Sequence, residues 1–388
     1  MSINNELKFL NEFDEEFGIY LHIPFCIEKC SYCDFYSLEY PHKMFREYLN
    51  SLKNEIKLYS SKIDAKVKTI YFGGGTPSVL DPVNVKEILE IISDNFFIKE
   101  NVEISFEANP NSLNLKKIKD YKQAGINRMS VGIQSFHDEE LEKLGRLHNS
   151  NKAKKILKNV AQVFSNYNFD LIFAIPEQSF EKWKDNIKTA LKFNPPHLSI
   201  YNLQVEKDTL IYKQINNNNL VPVSQELDAK MYKCTIQKLS EANLKQYEIS
   251  NFSRKGYSSK HNLIYWKYQP YLGLGPSAHS FSSKTRFSNY ISLKKYIDSL
   301  NQKKLPLKKV NNLTKKERMA EKIFLGLRLM DGIDFDDFNN AFNENITNIY
   351  GKEINKLVEK GLLIKKDNNI KLSSKGKFLG NQVFMEFL

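Results

Sequence analysis

The chain has 388 residues, 41% of them hydrophobic, and a formal net charge of +12. That length buries an ample core without covalent staples, and four cysteines are too few for a disulfide-built scaffold. The start, MSINNELKFLNEFDEEFG, lacks the apolar stretch of a secretory signal, and no apolar run is long enough to span a bilayer, so a cytoplasmic protein with reduced thiols is expected.

After a short segment over 1–17, the apolar run at Ile19–Ile23 reads as a strand, followed by CIEKCSYC with Cys26, Cys30 and Cys33. A helix is expected over Lys43–Tyr59. KTIYFGGGTPSVL then places a strand at Thr69–Phe72, followed by Gly73, Gly74 and Gly75, where the backbone can approach a ligand closely. Further strands are expected at Val102–Glu107, Arg128–Ile133, Phe169–Ala174 and Leu198–Leu203. Helices separate them at Val83–Asp94, Leu115–Gln123, Asp138–Leu144, Asn151–Val163 and Glu181–Lys192. Six strands alternating with helices predict a parallel sheet, too few for an eight-fold barrel and suited to an open partial one. Active sites of parallel barrels sit at the C-terminal strand ends. Glu107, Gln134, Asp170 and the nearby Arg146 are the polar candidates there.

Three thiols within eight positions of a reducing-compartment protein point to metal or redox chemistry. A structural zinc site would want four ligands, usually in two pairs. The remaining cysteine, Cys234, lies in MYKCTIQKLSEAN at helical spacing with Met231 and Leu239 and reads as a small buried residue. His22 or His42 could complete a zinc set. A cubane iron–sulfur cluster fits better: it takes thiolates at short loop spacings, and three leave one iron open for a small molecule.

The spacing C-x3-C-x2-C resembles the cluster motif of the radical S-adenosylmethionine (SAM) family. SFEANP, SVGIQSF, LGRLH and DLIFAIP together resemble its oxygen-independent coproporphyrinogen oxidases and their relatives. The resemblance covers almost the whole chain. It implies a 4Fe–4S cluster on Cys26, Cys30 and Cys33, with SAM on the open iron. It further implies a SAM site of Tyr20, Tyr32, Gly74, Gly75, Thr76, Glu107, Gln134, Arg146 and Asp170. In it Tyr32 packs beside the adenine, the glycines face the amino group, and Arg146 pairs with the carboxylate. Two departures separate the chain from the oxidases: Phe35 stands where they carry a further cysteine, and few residues precede the first strand. Both are similar to the HemW-type heme chaperones. HNLIYW, from His261 to Trp266, matches a stretch of those chaperones and implies heme contact by His261, Asn262, Tyr265 and Trp266. His22, His148 and His279 are competing iron ligands, with Cys234 behind them.

The expected organisation is therefore a partial barrel with its extension over 18–308 and a mainly helical, winged-helix-like unit over 309–388. The latter opens with a capping box, Thr314 with Glu317. Helices follow around Phe335–Phe342 and Ile346–Lys360, then a hairpin and a last helix. The expected function is a heme chaperone that hands heme to an acceptor the sequence does not identify. The alternatives are decarboxylation of coproporphyrinogen III in porphyrin biosynthesis, which the departures disfavour, and nucleic-acid binding by the tail. Lysine and arginine spread along the whole chain argue against the last. Whether SAM is cleaved is left open.

Overall fold

A computed structural model describes residues 7–13 and 15–388. Residues 1–6 and 14 of the expected N-terminal segment lie outside the described residues. Six strands run β1 Glu16–Ile23, β2 Lys66–Gly74, β3 Phe97–Ala108, β4 Arg128–Gln134, β5 Tyr167–Phe173 and β6 His197–Asn202. Each pairs with the next in parallel register. All six coincide with the expected strands to within a few residues.

The crossover helices form because their starts are capped and one face is apolar. The side chains of Asn114, Asn149 and Ser179 each accept a backbone N–H of the first turn of their helices. Ile118 and Tyr121, then Ile156, Leu157 and Val160, then Trp183 and Ile187 are buried against the outer face of the sheet. Along β1, Ile19, Leu21 and Ile23 join that outer core, while Tyr20 and His22 alternate to the inner face.

The sheet is wider than the sequence suggested. Strand β7, Tyr271–Leu274, lies parallel beside β1. Three antiparallel strands extend it, β8 His279–Phe281, β9 Thr285–Asn289 and β10 Leu307–Asn312. At the opposite edge Asn251–Ser253 and Lys245–Gln246 pair antiparallel beyond β6. Twelve strands thus share one sheet. Strand β10 runs across the position 308/309 and pairs within this sheet.

The tail forms its own core around Ile323, Phe338, Ile354, Leu357 and Ile370. The helix Lys315–Gly326 carries the capping box, with the Thr314 hydroxyl accepting the Glu317 N–H and the Glu317 carboxylate accepting the Thr314 N–H. Helices Phe335–Phe342 and Ile346–Glu359 precede the hairpin Leu363–Lys366 and Asn369–Leu372, whose sheet is completed by Ile333–Asp334. Two short helices, Ser374–Phe378 and Gly380–Met385, end the unit where one was expected. Arg328, just after the first of these helices, lies over the Trp266 ring at 4.5 Å and so ties this unit to the barrel.

Candidate cluster and cofactor site

The cysteine loop leaves the top of β1 and is anchored by the end of β2. The Gly75 N–H donates to the Ile23 carbonyl and the Thr76 N–H to the Phe25 carbonyl. A Cβ on Gly75 would meet the Phe25 carbonyl at 2.8 Å and the Cys26 sulfur at 3.0 Å, so only glycine lets the two loops close together here. The Thr76 hydroxyl reaches the Cys26 Sγ at 3.3 Å. From the other side, the Ser31 hydroxyl donates to the Lys143 carbonyl and its N–H to that of Leu144. Arg146 Nη1 sits 3.2 Å from the Cys30 Sγ while Nη2 donates to the Gly132 carbonyl.

The donor set fits a cubane better than a single ion. Among the described residues no three His, Cys, Asp or Glu side chains converge to hold one metal ion. Cubane ligands have no need to converge, since each thiolate binds a different iron. Burial pushes the Cys26 thiol up and the Cys33 thiol up to about 11. Bound iron would oppose that shift, because a coordinating thiol is deprotonated.

Beside the loop, the strand ends bring the polar candidates together. The Tyr71 hydroxyl donates to Glu107 at 2.7 Å, and burial raises the Glu107 carboxyl to about 7. Gly74 adopts a φ of 108°, and Gly73 leaves no room for a Cβ between Tyr20, Tyr71 and Glu107. Gln134 ends β4 in the left-handed region at a φ of 69°, a conformation disfavoured for its side chain and enriched at functional sites. Asp170 accepts from Asn168 at 2.7 Å, and burial raises its carboxyl. Gln134 Oε1 and Arg146 Nε are among the buried polar atoms that find no partner. Buried groups left unpaired are costly, and both stand where a polar cofactor would meet them.

Tyr32 packs against a small separate apolar cluster that includes Leu144, Ile172, Ile175 and Leu203. Burial raises its hydroxyl, with Arg146, Cys30 and Cys33 among its charged neighbours. The apolar wall made by Ile175 and Leu203 was missed in the sequence. Its one signal is placement just past two strand ends, in FAIP and YNLQ.

HNLIYW lies apart from this constellation. It forms the helix Lys260–Trp266 inside the other end of the barrel. Glu103 accepts the N–H groups of Lys260 and His261. The His261 ring is bonded at both nitrogens, Nδ1 to the Thr69 hydroxyl at 2.7 Å and Nε2 to the Tyr265 hydroxyl at 2.9 Å. It is 1% exposed, and burial drives its pKa down to about 3. Asn262 gives its N–H to the Ser259 cap, and Trp266 lies under Arg328. His22 and His148 are buried too: His22 bonds Tyr20 and the Tyr36 carbonyl, and His148 bonds the Ile133 carbonyl. Cys234 packs at the margin of the main core.

A three-thiol loop at the top of a parallel, open barrel defines a radical SAM protein. The chain matches the radical SAM superfamily over residues 20–190 and the HemN C-terminal domain over 313–379. Its fold is that of the Escherichia coli coproporphyrinogen III oxidase HemN, a radical SAM enzyme, with a TM-score of 0.86 at 21% identity over 100% of this chain and 93% of that one. The sequence lies nearer to another group. It is 36% identical to the heme chaperone HemW of Bacillus subtilis over 95% of this chain and 98% of that protein. Against the heme chaperone HemW of Lactococcus lactis the identity is 33%, over 95% and 96%. The chain belongs to the HemW heme chaperone family.

Proposed function

We propose that this chain binds heme and delivers it to an acceptor protein. Cys26, Cys30 and Cys33 hold a 4Fe–4S cluster, and the strand-end residues hold SAM. What carries the reading is family membership along nearly the whole chain at 30–36% identity to proteins named heme chaperones. The oxidase shares the fold at only 21%. Phe35 supports it as well, 63% exposed where the oxidases carry a further cysteine.

The residues present suit SAM. Arg146, with its unpaired Nε, offers a planar guanidinium to the carboxylate. Glu107 and the Gly73–Gly75 backbone face the amino group. Gln134 and Asp170 serve the ribose hydroxyls, and Tyr32 with Ile175 and Leu203 encloses the adenine. Bound together, cluster and SAM supply one-electron chemistry at the barrel top, and the chain's part is to bind, orient and exclude water there.

The test is a pair of measurements on the anaerobically reconstituted chain. Hemin titration is expected to saturate at about one per chain. Incubation with reductant, SAM and coproporphyrinogen III is expected to yield no vinyl product. Formation of protoporphyrinogen would overturn the chaperone reading in favour of the oxidase.

A further inference from the structure

The positive charge of the chain gathers along one border of the molecule. Residues 284–318 hold eleven basic and two acidic side chains, so nine of the chain's net twelve positive charges fall in this stretch. Within it, strand β10, Leu307–Asn312, is the last of the twelve-stranded sheet and pairs only with β9. No other backbone hydrogen bond of residues 307–312 is formed among the described residues. The outer row of N–H and C=O groups is therefore open over about 20 Å.

Cations line this edge from end to end. Lys303 and Lys304 precede the strand, Lys308 and Lys309 lie on it, and Lys315 and Lys316 open the helix Lys315–Gly326 that follows. All six are exposed. Lys315 pairs with Glu344, and the other five form no salt bridge among the described residues. Val310, 44% exposed, offers an apolar contact between them.

The fold gains little from this placement. A charged side chain or a bulge is enough to guard a sheet edge against unwanted pairing, and β10 already has a register shift beside Asn289. Neighbouring lysines repel one another. Two of them stand in the first turn of a helix, where the positive end of the dipole disfavours cations. A partner that neutralises the edge accounts for what the isolated chain does not. A lipid headgroup or a nucleic acid would meet only the charge. An extended polypeptide uses the open backbone groups as well, and carboxylates opposite the lysines make favourable cross-strand pairs. We propose that the β10 edge is a docking surface for an acidic, extended segment of a partner protein, which joins the sheet as a further strand. This stands on the sheet edge and its charge and is independent of the heme reading.

The experiment is fluorescence anisotropy of a labelled acidic peptide, TVEEVEEVT, titrated with the full chain at physiological ionic strength. A second peptide carries N-methyl groups on alternate backbone amides, which keeps the charge and removes the pairing. The variants are Lys308→Ser/Lys309→Ser on the edge and Lys155→Ser/Lys158→Ser, an equal loss of exposed charge on the helix Ser150–Val163. Circular dichroism checks that both fold as wild type does. Wild type is expected to bind the plain peptide, and the N-methylated one at least tenfold more weakly. The edge variant is expected to lose at least threefold in affinity, and the helix variant to stay within twofold of wild type. Absence of binding, equal affinity for the two peptides, or equal losses in the two variants would overturn the proposal. So would tighter binding of phosphatidylglycerol vesicles or of poly-uridine RNA than of the peptide, since either would show that the edge answers to charge alone.

Discussion

The Tyr71 ring stacks on the His261 imidazole with centroids 4.9 Å apart, while its hydroxyl donates to Glu107. One side chain thus separates the buried helix of HNLIYW from the cofactor end of the barrel. Tyr20 stacks beside it and completes an aromatic floor. Below the floor lie Thr69, Glu103 and His261, and above it the ends of β2, β3 and β4. The two halves make different demands, and they can be tested separately.

Replacement of Cys26, Cys30 or Cys33 by Ala is expected to abolish the brown chromophore and the bound iron, because each removes a thiolate that nothing nearby replaces. Cys234→Ala is expected to keep both. Iron and sulfide analysis of the four reconstituted variants decides it. Dependence of the cluster on Cys234 would contradict the assignment of the open iron.

Loss of the charged hydrogen bonds at the strand ends is expected to weaken SAM. Arg146→Ala and Asp170→Ala should each cost about 1.5–3 kcal/mol of binding, with iron content near wild type. Calorimetric titration of SAM into the reconstituted protein reads this directly. Unchanged affinity in both variants would mean that SAM lies elsewhere.

SAM affinity is also expected to depend on pH through Glu107. Burial raises this carboxyl to about 7 in the free protein, and the cofactor's ammonium group favours its ionised form. Binding therefore releases a proton, and affinity falls as pH drops through about 7, by at most about tenfold per unit for one group. Titrations between pH 6 and 8 check the slope, which Glu107→Gln should flatten. An equal slope in that variant would show that another group is responsible.

The buried helix calls for a stability measurement. Glu103 is 4% exposed and caps it by accepting two backbone N–H groups. Glu103→Ala strands both donors and is expected to cost about 1–3 kcal/mol, seen as a lower thermal midpoint. SAM affinity should be unchanged, since the aromatic floor lies between. A midpoint equal to wild type would show that this helix is not held as described.

The parallel half of the fold was legible because its signals are local. Runs such as KTIYF and MSVGI carry the apolar and β-branched residues of buried strands, and Asn114 and Thr314 mark helix starts by their caps. The antiparallel extension was not legible. LKKVNN is exposed along nearly its whole length and reads as a polar loop, and His279–Phe281 is too short to show a period. Its pairing depends on partners distant in sequence. The sequence also suggested evenly spread charge, yet 284–318 holds eleven basic residues and two acidic ones. His261 and Tyr265 stand four residues apart on the helix Lys260–Trp266 and so share one face. That this face turns inward follows from Thr69 and Glu103, which no local pattern could reveal. The candidate cluster and cofactor residues sit in motifs visible in the chain, whereas the surroundings of each histidine are set by the fold.

Heme transfer tests the chaperone reading most directly. The reconstituted chain, loaded with one hemin, would be mixed with an apo-hemoprotein of the b type and followed spectroscopically, with the cluster monitored by its iron content. The account predicts that the Soret band moves to that of the acceptor's holo form while the cluster stays with the donor chain. A chain that never loads heme, or that retains it in the presence of the acceptor while converting coproporphyrinogen III to a vinyl product, would contradict it.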